Sequence, residues 1–158
     1  MTTWPELLIL LALVGSALMA GLFFIFSTTV MAALARLPHA EGIRAMQSIN
    51  RVIINPWFLG SFLGTAVVSL VIGLLALTGR SEFGSFWLLS ASCLYLFGTF
   101  FYTVVKNVPL NDQLEDVSED NAAEFWQFYL HVWTRYNHHR TVASVLAVVL
   151  YAIGLREF

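Results

Sequence analysis

The chain contains 158 residues, of which 58% are hydrophobic and only 11% are charged, with a formal net charge of -2. A soluble domain carries roughly a quarter charged residues, so this composition excludes an ordinary soluble globular domain, and it is too hydrophobic for intrinsic disorder. Eight basic against ten acidic residues exclude a nucleic-acid-binding surface, and a single cysteine excludes an intramolecular disulfide.

The charged residues are confined to a few parts of the chain. Residues 7–35, 52–79 and 83–105 carry none, and each run is long enough for a bilayer-spanning helix, which needs roughly 20 apolar residues. A fourth run, residues 141–155, is about one turn too short, so its helix must bring the polar residues 137–140 to the membrane boundary or inside it. We therefore predict an all-α integral membrane four-helix bundle, a single transmembrane domain with helices over about residues 5–34, 57–77, 85–106 and 121–153.

The connections between these helices have patterns of their own. Residues 1–6 contain no Lys or Arg and precede an apolar run too long for a cleaved signal peptide, so we expect the first helix to be retained. Apolar positions three and four residues apart predict a short amphipathic helix between helices one and two, ended by Asn55-Pro56. We expect a tight turn at Arg80 to Gly84, and we expect Pro109 to end the third helix.

Basic residues predict the orientation in the membrane. The two long connections hold six, namely Arg36, Arg44, Arg51, Lys106, Arg135 and Arg140, whereas Arg80 and Arg156 lie in the short turn and at the C-terminus. This distribution favours cytoplasmic long connections and outside termini in a plasma or inner membrane. If Arg135 and Arg140 are functional residues, they do not count as signals of orientation. The long connections then hold four basic residues against two elsewhere.

One face of the fourth helix carries a row of aromatic and polar residues. The row is Trp126, Tyr129, Trp133, Asn137, Arg140 and Ser144, at steps of 3, 4, 4, 3 and 4 residues. Polar side chains are costly in lipid, so such a row indicates a function. The aromatic rings would stack on a flat ligand, and Asn137 and Arg140 would bind its carbonyl or phenolate oxygen. The alternative is an interfacial aromatic belt followed by an arginine that extends to the headgroups.

Two other segments contribute candidate binding residues. Tyr102 belongs to a weaker row on helix three, and Asn107 and Asn111 flank Pro109 just beyond it, where they would equally suit a turn. Gln47 and Asn50 share a face of the amphipathic segment, which is also typical of a solvated helix.

The histidines are weak candidates for metal ligands. His131 and His138 share a helix face, but Arg135 lies between them and would repel a cation. No His-x-x-x-His pair supports a mononuclear site. We therefore predict no metal or other cofactor, while copper or haem bound through His131, His138 or His139 stays open.

The sequence resembles the anthrone oxygenase-like family of small four-helix membrane proteins. The resemblance is carried by Phe26-Ser27 with Val30-Met31, by residues 46–51, by the Asn-Val-Pro-Leu-Asn segment at 107–111, and by residues 133–141. It implies the bundle fold and a reaction in which molecular oxygen converts the central methylene of an anthrone to a ketone without a known cofactor, as family members do in aromatic polyketide pathways.

These residues define two hypotheses of function. The leading one is a membrane-embedded oxygenase acting on a hydrophobic aromatic, anthrone- or quinone-like compound. Its catalytic residues would be Arg140, Asn137 and His138, and its substrate-binding residues Trp126, Tyr129, Trp133, Asn50, Gln47, Asn107, Asn111 and Tyr102. The alternative is a non-enzymatic membrane module that binds a lipid or quinone, or a transport or accessory subunit. The expected partners are a hydrophobic small molecule and the lipid bilayer, and assembly with a second copy of the chain stays open. The leading hypothesis predicts that Arg140 and the asparagines meet in one cavity.

Overall fold

The computed structural model describes residues 3–78, 86–118 and 121–157, and these residues form five helices without a strand. They are α1 (Trp4–Leu34), α2 (His39–Val52), α3 (Pro56–Leu77), α4 (Phe86–Glu115) and α5 (Ala122–Arg156). All but α2 are long and apolar enough to cross a membrane. The predicted all-α membrane bundle with a short connecting helix is therefore confirmed, whereas the predicted turn at Arg80 to Gly84 lies outside the described residues.

Two helix starts follow directly from local sequence. At the start of α1, the Thr3 hydroxyl accepts from the Glu6 backbone, and the Glu6 carboxylate accepts from the Thr3 backbone. At the start of α3, the Asn55 side chain accepts from the backbone amides of Trp57 and Phe58, while Pro56 occupies the first turn. The Asn55-Pro56 pair thus separates α2 from α3.

The prediction that Pro109 ends the third helix is wrong. α4 continues through it to Glu115, because a π-helical segment, Thr103–Asn107, comes just before the proline. There the backbone bonds to the fifth residue back instead of the fourth. Pro109 then lies in the first turn of renewed α-helix, where its missing amide hydrogen leaves little unsatisfied. Residues 108–115 consequently extend α4 as a helix that packs against α2 and α5.

Further π-helical segments occur within the spanning helices, at Phe26–Val30 in α1 and at Leu94–Phe101 in α4. Such segments are rare and are found frequently at functional sites. Two of the three segments, Phe26–Val30 and Thr103–Asn107, contribute residues to the cavity described below.

The bundle has two buried clusters. The first, which we call the packed half, is apolar and includes Ile9, Met19, Phe62, Leu88 and Tyr151. The second, the cavity half, includes Met31, Met46, Leu114, Trp126 and Trp133. Many large apolar side chains on the outer surface are exposed, as expected where helices contact lipid.

Helix α2 lies against the polar end of the bundle. Its Gly42 is close to Trp126, and a Cβ at that position would contact the indole ring. The Gln47 side chain donates to the Leu114 carbonyl at 2.9 Å, which ties α2 to the extension of α4. These contacts place α2 where it forms one wall of a cavity.

Candidate functional site

A cavity of about 300 Å³ lies in the cavity half, among residues of all five helices. Its walls are mainly apolar and aromatic, with Phe23 and Phe26 from α1, Met46 from α2 and Phe58 from α3. A smaller set of polar side chains interrupts these walls. The volume is at the lower end of the roughly 300–1,000 Å³ of small-molecule sites, which are typically apolar with a few placed polar groups.

The row of residues on α5 faces inward along its whole length. All six members, Trp126, Tyr129, Trp133, Asn137, Arg140 and Ser144, are buried. Of these, only Trp133 and Arg140 line the cavity. Trp126 stacks on Tyr129 at 5.7 Å between ring centroids, and Tyr129 stacks on Trp133 at 6.1 Å. The aromatic residues thus stack on one another, and the first two lie behind the cavity wall.

Arg140 is a buried charged residue of the cavity half, with 6% of its surface exposed. Its guanidinium lies over the ring of Phe23 at 4.1 Å and over that of Trp133 at 4.9 Å. Nη1 donates weakly to the Thr103 hydroxyl at 3.4 Å. Within the described parts of the chain, Arg140 pairs with no carboxylate, so its positive charge remains available to a ligand in the cavity.

Asn137 holds Arg140 in place. Its side-chain oxygen accepts from Arg140 Nε at 2.8 Å, and its Nδ2 donates to the Phe23 carbonyl at 2.7 Å and to the Ser27 hydroxyl at 2.6 Å. Both bonds to α1 lie where the π-helical segment begins. Since its oxygen and Nδ2 are both engaged, Asn137 serves as a support behind Arg140.

Asn111 presents a hydrogen-bond donor to the cavity. Its Oδ1 accepts from the Tyr129 hydroxyl and from Trp133 Nε1, both at 2.8 Å. These two donors fix which end of the amide is the oxygen. The Nδ2 group has no hydrogen-bond partner among the described residues, and Asn111 lines the cavity.

The outer rim of the cavity combines a further amide with charged groups. Asn50 of α2 lines the wall, and its Nδ2 is buried without a partner among the described residues. Arg51, one residue on, forms an ion pair with Glu115 of α4. Asp112 also lines the rim. Arg140, Asn111 and Asn50 therefore offer donors toward the cavity, and the carboxylates lie at its rim.

Besides Trp126, Tyr129 and Asn137, four more predicted site residues do not line the cavity. Gln47 is engaged with the Leu114 carbonyl. Tyr102 packs edge-on against Tyr136, and with His138 it lines an open groove on the outer surface of α4 and α5. Asn107 is 1% exposed, and neither polar atom of its side chain has a partner among the described residues. The structure thus brings Asn50, Asn111 and Arg140 to one cavity, with Asn137 directly behind.

The histidines considered as metal ligands are all on the surface. His131, His138 and His139 are exposed, and none of them lines the cavity. Among the described residues, no group of three or more His, Cys, Asp or Glu side chains has the arrangement of a metal site.

Sequence reasoning missed the contribution of α1 and of the end of α4. Phe23 covers one face of Arg140, Ser27 binds Asn137, and Asp112 lies at the rim. The run Ser27-Thr28-Thr29 was an available signal, since three hydroxyl residues in a row are unusual in an apolar helix. Asp112 had no such signal, because its position depends on the helix continuing through Pro109.

Comparison with known proteins adds to this geometry. A model of a family described as anthrone oxygenase matches residues 55–150, which is more than half of the chain. The chain belongs to this anthrone oxygenase family. The matched part runs from the start of α3 through most of α5 and includes Asn111, Trp133, Asn137 and Arg140. Helices α1 and α2, which supply Phe23 and Asn50, lie outside it. No curated protein and no solved structure matches the chain.

Proposed function

We propose that the protein is a membrane-embedded oxygenase that uses molecular oxygen to oxidise a hydrophobic aromatic compound of the anthrone type. The observation that carries this proposal is the Arg140 guanidinium, buried against Phe23 and Trp133 at a cavity wall and without a carboxylate partner among the described residues. A buried cation of this kind favours a ligand oxygen that bears or develops negative charge. Family membership supports the oxygenase class.

The polar groups of the cavity support an oxygen-bearing ligand. Arg140, Asn111 and Asn50 all present N–H donors, which match the acceptor oxygens of a ketone or a phenolate. The apolar side chains around them suit fused aromatic rings.

The proposed reaction needs an electron-rich anion and oxygen. An anthrone loses a proton from its central methylene to give an anion that reduces oxygen directly. Overall, the methylene and one O₂ give a ketone and one water, so both methylene hydrogens leave in the water. In this proposal Arg140 and Asn111 stabilise the anion, and the ligand supplies the electrons without a metal or other cofactor.

Oxygen uptake by the purified protein tests the proposal. Protein in detergent is mixed with an anthrone, and oxygen consumption and ketone formation are followed against the spontaneous rate. We expect the wild type to exceed that rate and Arg140→Met to lose about 100- to 1,000-fold of the enhancement, since one stabilising donor contributes about that much. Arg135→Met is the matched control, because Arg135 is exposed on the same helix.

Three outcomes would contradict parts of the proposal. A wild-type rate equal to the spontaneous one, together with tight binding of the anthrone, would favour the alternative of a non-enzymatic binding module. An equal loss in Arg135→Met would show that the effect of Arg140 is not specific to the cavity. Metal in the purified protein, with loss of activity on chelation, would contradict the cofactor-independent reaction.

A further inference from the structure

The proposed reaction requires a base, and the carboxylates at the cavity rim are placed to provide one. Val108, Asn111, Asp112 and Glu115 all line the cavity. They lie at relative positions 0, 3, 4 and 7 of the α-helical extension of α4, which is the spacing of one helix face. Asp112 is thus next to Asn111 on the face that the helix turns to the cavity.

The two rim carboxylates differ in what they contact. Glu115 forms an ion pair with Arg51, so its carboxylate is already engaged. The Asp112 carboxylate has no hydrogen bond or ion pair with any residue that the structure describes. It is therefore free to contact a ligand in the cavity. Asp112 is also exposed, so that a proton it accepts can pass to water.

No histidine competes for this role at the cavity. His131, His138 and His139 are exposed and lie outside the wall, as far as the described residues define it. His39 accepts a hydrogen bond from Gln127 Nε2 at 3.2 Å and does not line the cavity either. The other polar side chains of the wall, from Arg51, Arg140, Thr103, Asn50 and Asn111, carry no group basic enough to take a proton from carbon.

We infer that Asp112 is the general base that removes the proton from the ligand; this rests on the proposed function. The Asp112 carboxylate forms an O–H bond as the methylene C–H bond breaks. The electron pair of that C–H bond moves into the ring system, and the negative charge reaches the ketone oxygen, which Arg140 and Asn111 hold. This step transfers a proton only, so it needs no oxidant. Molecular oxygen reacts with the resulting anion afterwards.

Deuterium exchange without oxygen isolates the proton transfer. Wild-type protein and an anthrone are placed in deuterated buffer under anaerobic conditions, and loss of the methylene proton signal is followed by NMR. We expect the wild type to accelerate exchange and Asp112→Asn to slow the accelerated exchange about 100-fold, the lower end of the range for a general base. Added acetate should partly restore exchange in this variant. Asp116→Asn is the matched control, because Asp116 has the same charge and lies outside the cavity.

Ligand binding by the variant separates a lost base from a lost fold. Quenching of tryptophan fluorescence by the anthrone should give a Kd for Asp112→Asn within about threefold of the wild type, because Asp112 is exposed and not among the donors of the wall. A much weaker Kd would mean that Asp112 binds the ligand instead of accepting its proton, and would overturn the inference.

The exchange and oxygen-uptake experiments together distinguish a failure of the proposed function from a failure of the Asp112 assignment. If the wild type accelerates neither exchange nor oxygen uptake, the proposed function fails. If the wild type accelerates oxygen uptake and Asp112→Asn retains full exchange, or if acetate restores nothing, the proposed function stands and the assignment of Asp112 is overturned. Slow exchange in Asp112→Asn with acetate rescue and an unchanged Asp116→Asn supports the assignment.

Discussion

The two halves of the bundle use buried polar groups in opposite ways. In the packed half, the Tyr151 hydroxyl bonds to Ser69 at 2.8 Å and to Ser92 at 3.2 Å, and the Tyr95 hydroxyl donates to the Phe62 carbonyl. In the cavity half, Asn50, Asn111 and Arg140 line the cavity, and each has an N–H group without a partner among the described residues. Polar groups that join helices bond to one another, whereas unpaired polar groups at a cavity need an explanation, and a bound ligand is the one proposed above.

The same contrast exists within the cavity half. Asn137 is buried with both ends of its amide bonded, and Asn107 is buried with neither end bonded to a described residue. Two buried asparagines of the same size thus provide a test of which amides support the fold.

Asn137→Leu should have the largest effect on stability. The change leaves Arg140 Nε and the Phe23 carbonyl without their partner, and a hydrogen bond to a charged group contributes about 1.5–3 kcal/mol. We expect the free energy of unfolding to fall by about 3 kcal/mol, measured by SDS titration in detergent. Asn107→Leu should change it by less than about 0.5 kcal/mol, since no bond to a described residue is lost. A similar loss in both variants would show that the Asn107 amide is also bonded in the folded protein.

Asn111→Asp should separate binding from stability. An aspartate keeps an oxygen to accept from Tyr129 and Trp133, but it replaces the cavity donor by an acceptor. We expect near-native stability and at least tenfold weaker binding of a ketone ligand, because an unmatched polar contact costs about 1–3 kcal/mol. Fluorescence titration measures the affinity. Asn111→Leu should lose both stability and ligand affinity. Equal affinity in Asn111→Asp and the wild type would mean that Asn111 Nδ2 does not contact the ligand.

The fold was largely predictable because bilayer thickness sets helix length, so runs without charge located the spanning helices. The 3.6-residue period predicted that the row on α5 shares one face, but whether that face points inward was left open between a pocket and an interfacial belt. The extent of α4 was not, since Pro109 ends a helix unless a π-helical segment precedes it. Nor did the period show that only Trp133 and Arg140 of the row reach the cavity, because that depends on where α1 and α4 approach α5.

Gly15→Ala should destabilise the packed half where α1 meets α3. A Cβ at Gly15 would overlap the Thr65 hydroxyl oxygen, whereas a Cβ at Gly64 would have no heavy atom within 4 Å. Overpacking of a close contact costs about 1–3 kcal/mol. We expect Gly15→Ala to lower the thermal midpoint in detergent and Gly64→Ala to leave it unchanged or slightly raised. A neutral Gly15→Ala would show that α1 and α3 can move apart at no cost.

Tyr151→Phe should have the smallest effect, and it tests whether the bonded hydroxyls of the packed half serve the fold alone. The change removes the bonds to Ser69 and Ser92 but keeps the ring, and an interhelical bond in a membrane protein contributes about 0.6 kcal/mol on average. Tyr136→Phe is the control, since its hydroxyl bonds to no described residue. We expect a small loss of stability in Tyr151→Phe and unchanged affinity for the ligand in both variants. Weakened binding in Tyr151→Phe would mean that the two halves are coupled, because its effect would have to pass from Tyr151 along α5 to Arg140.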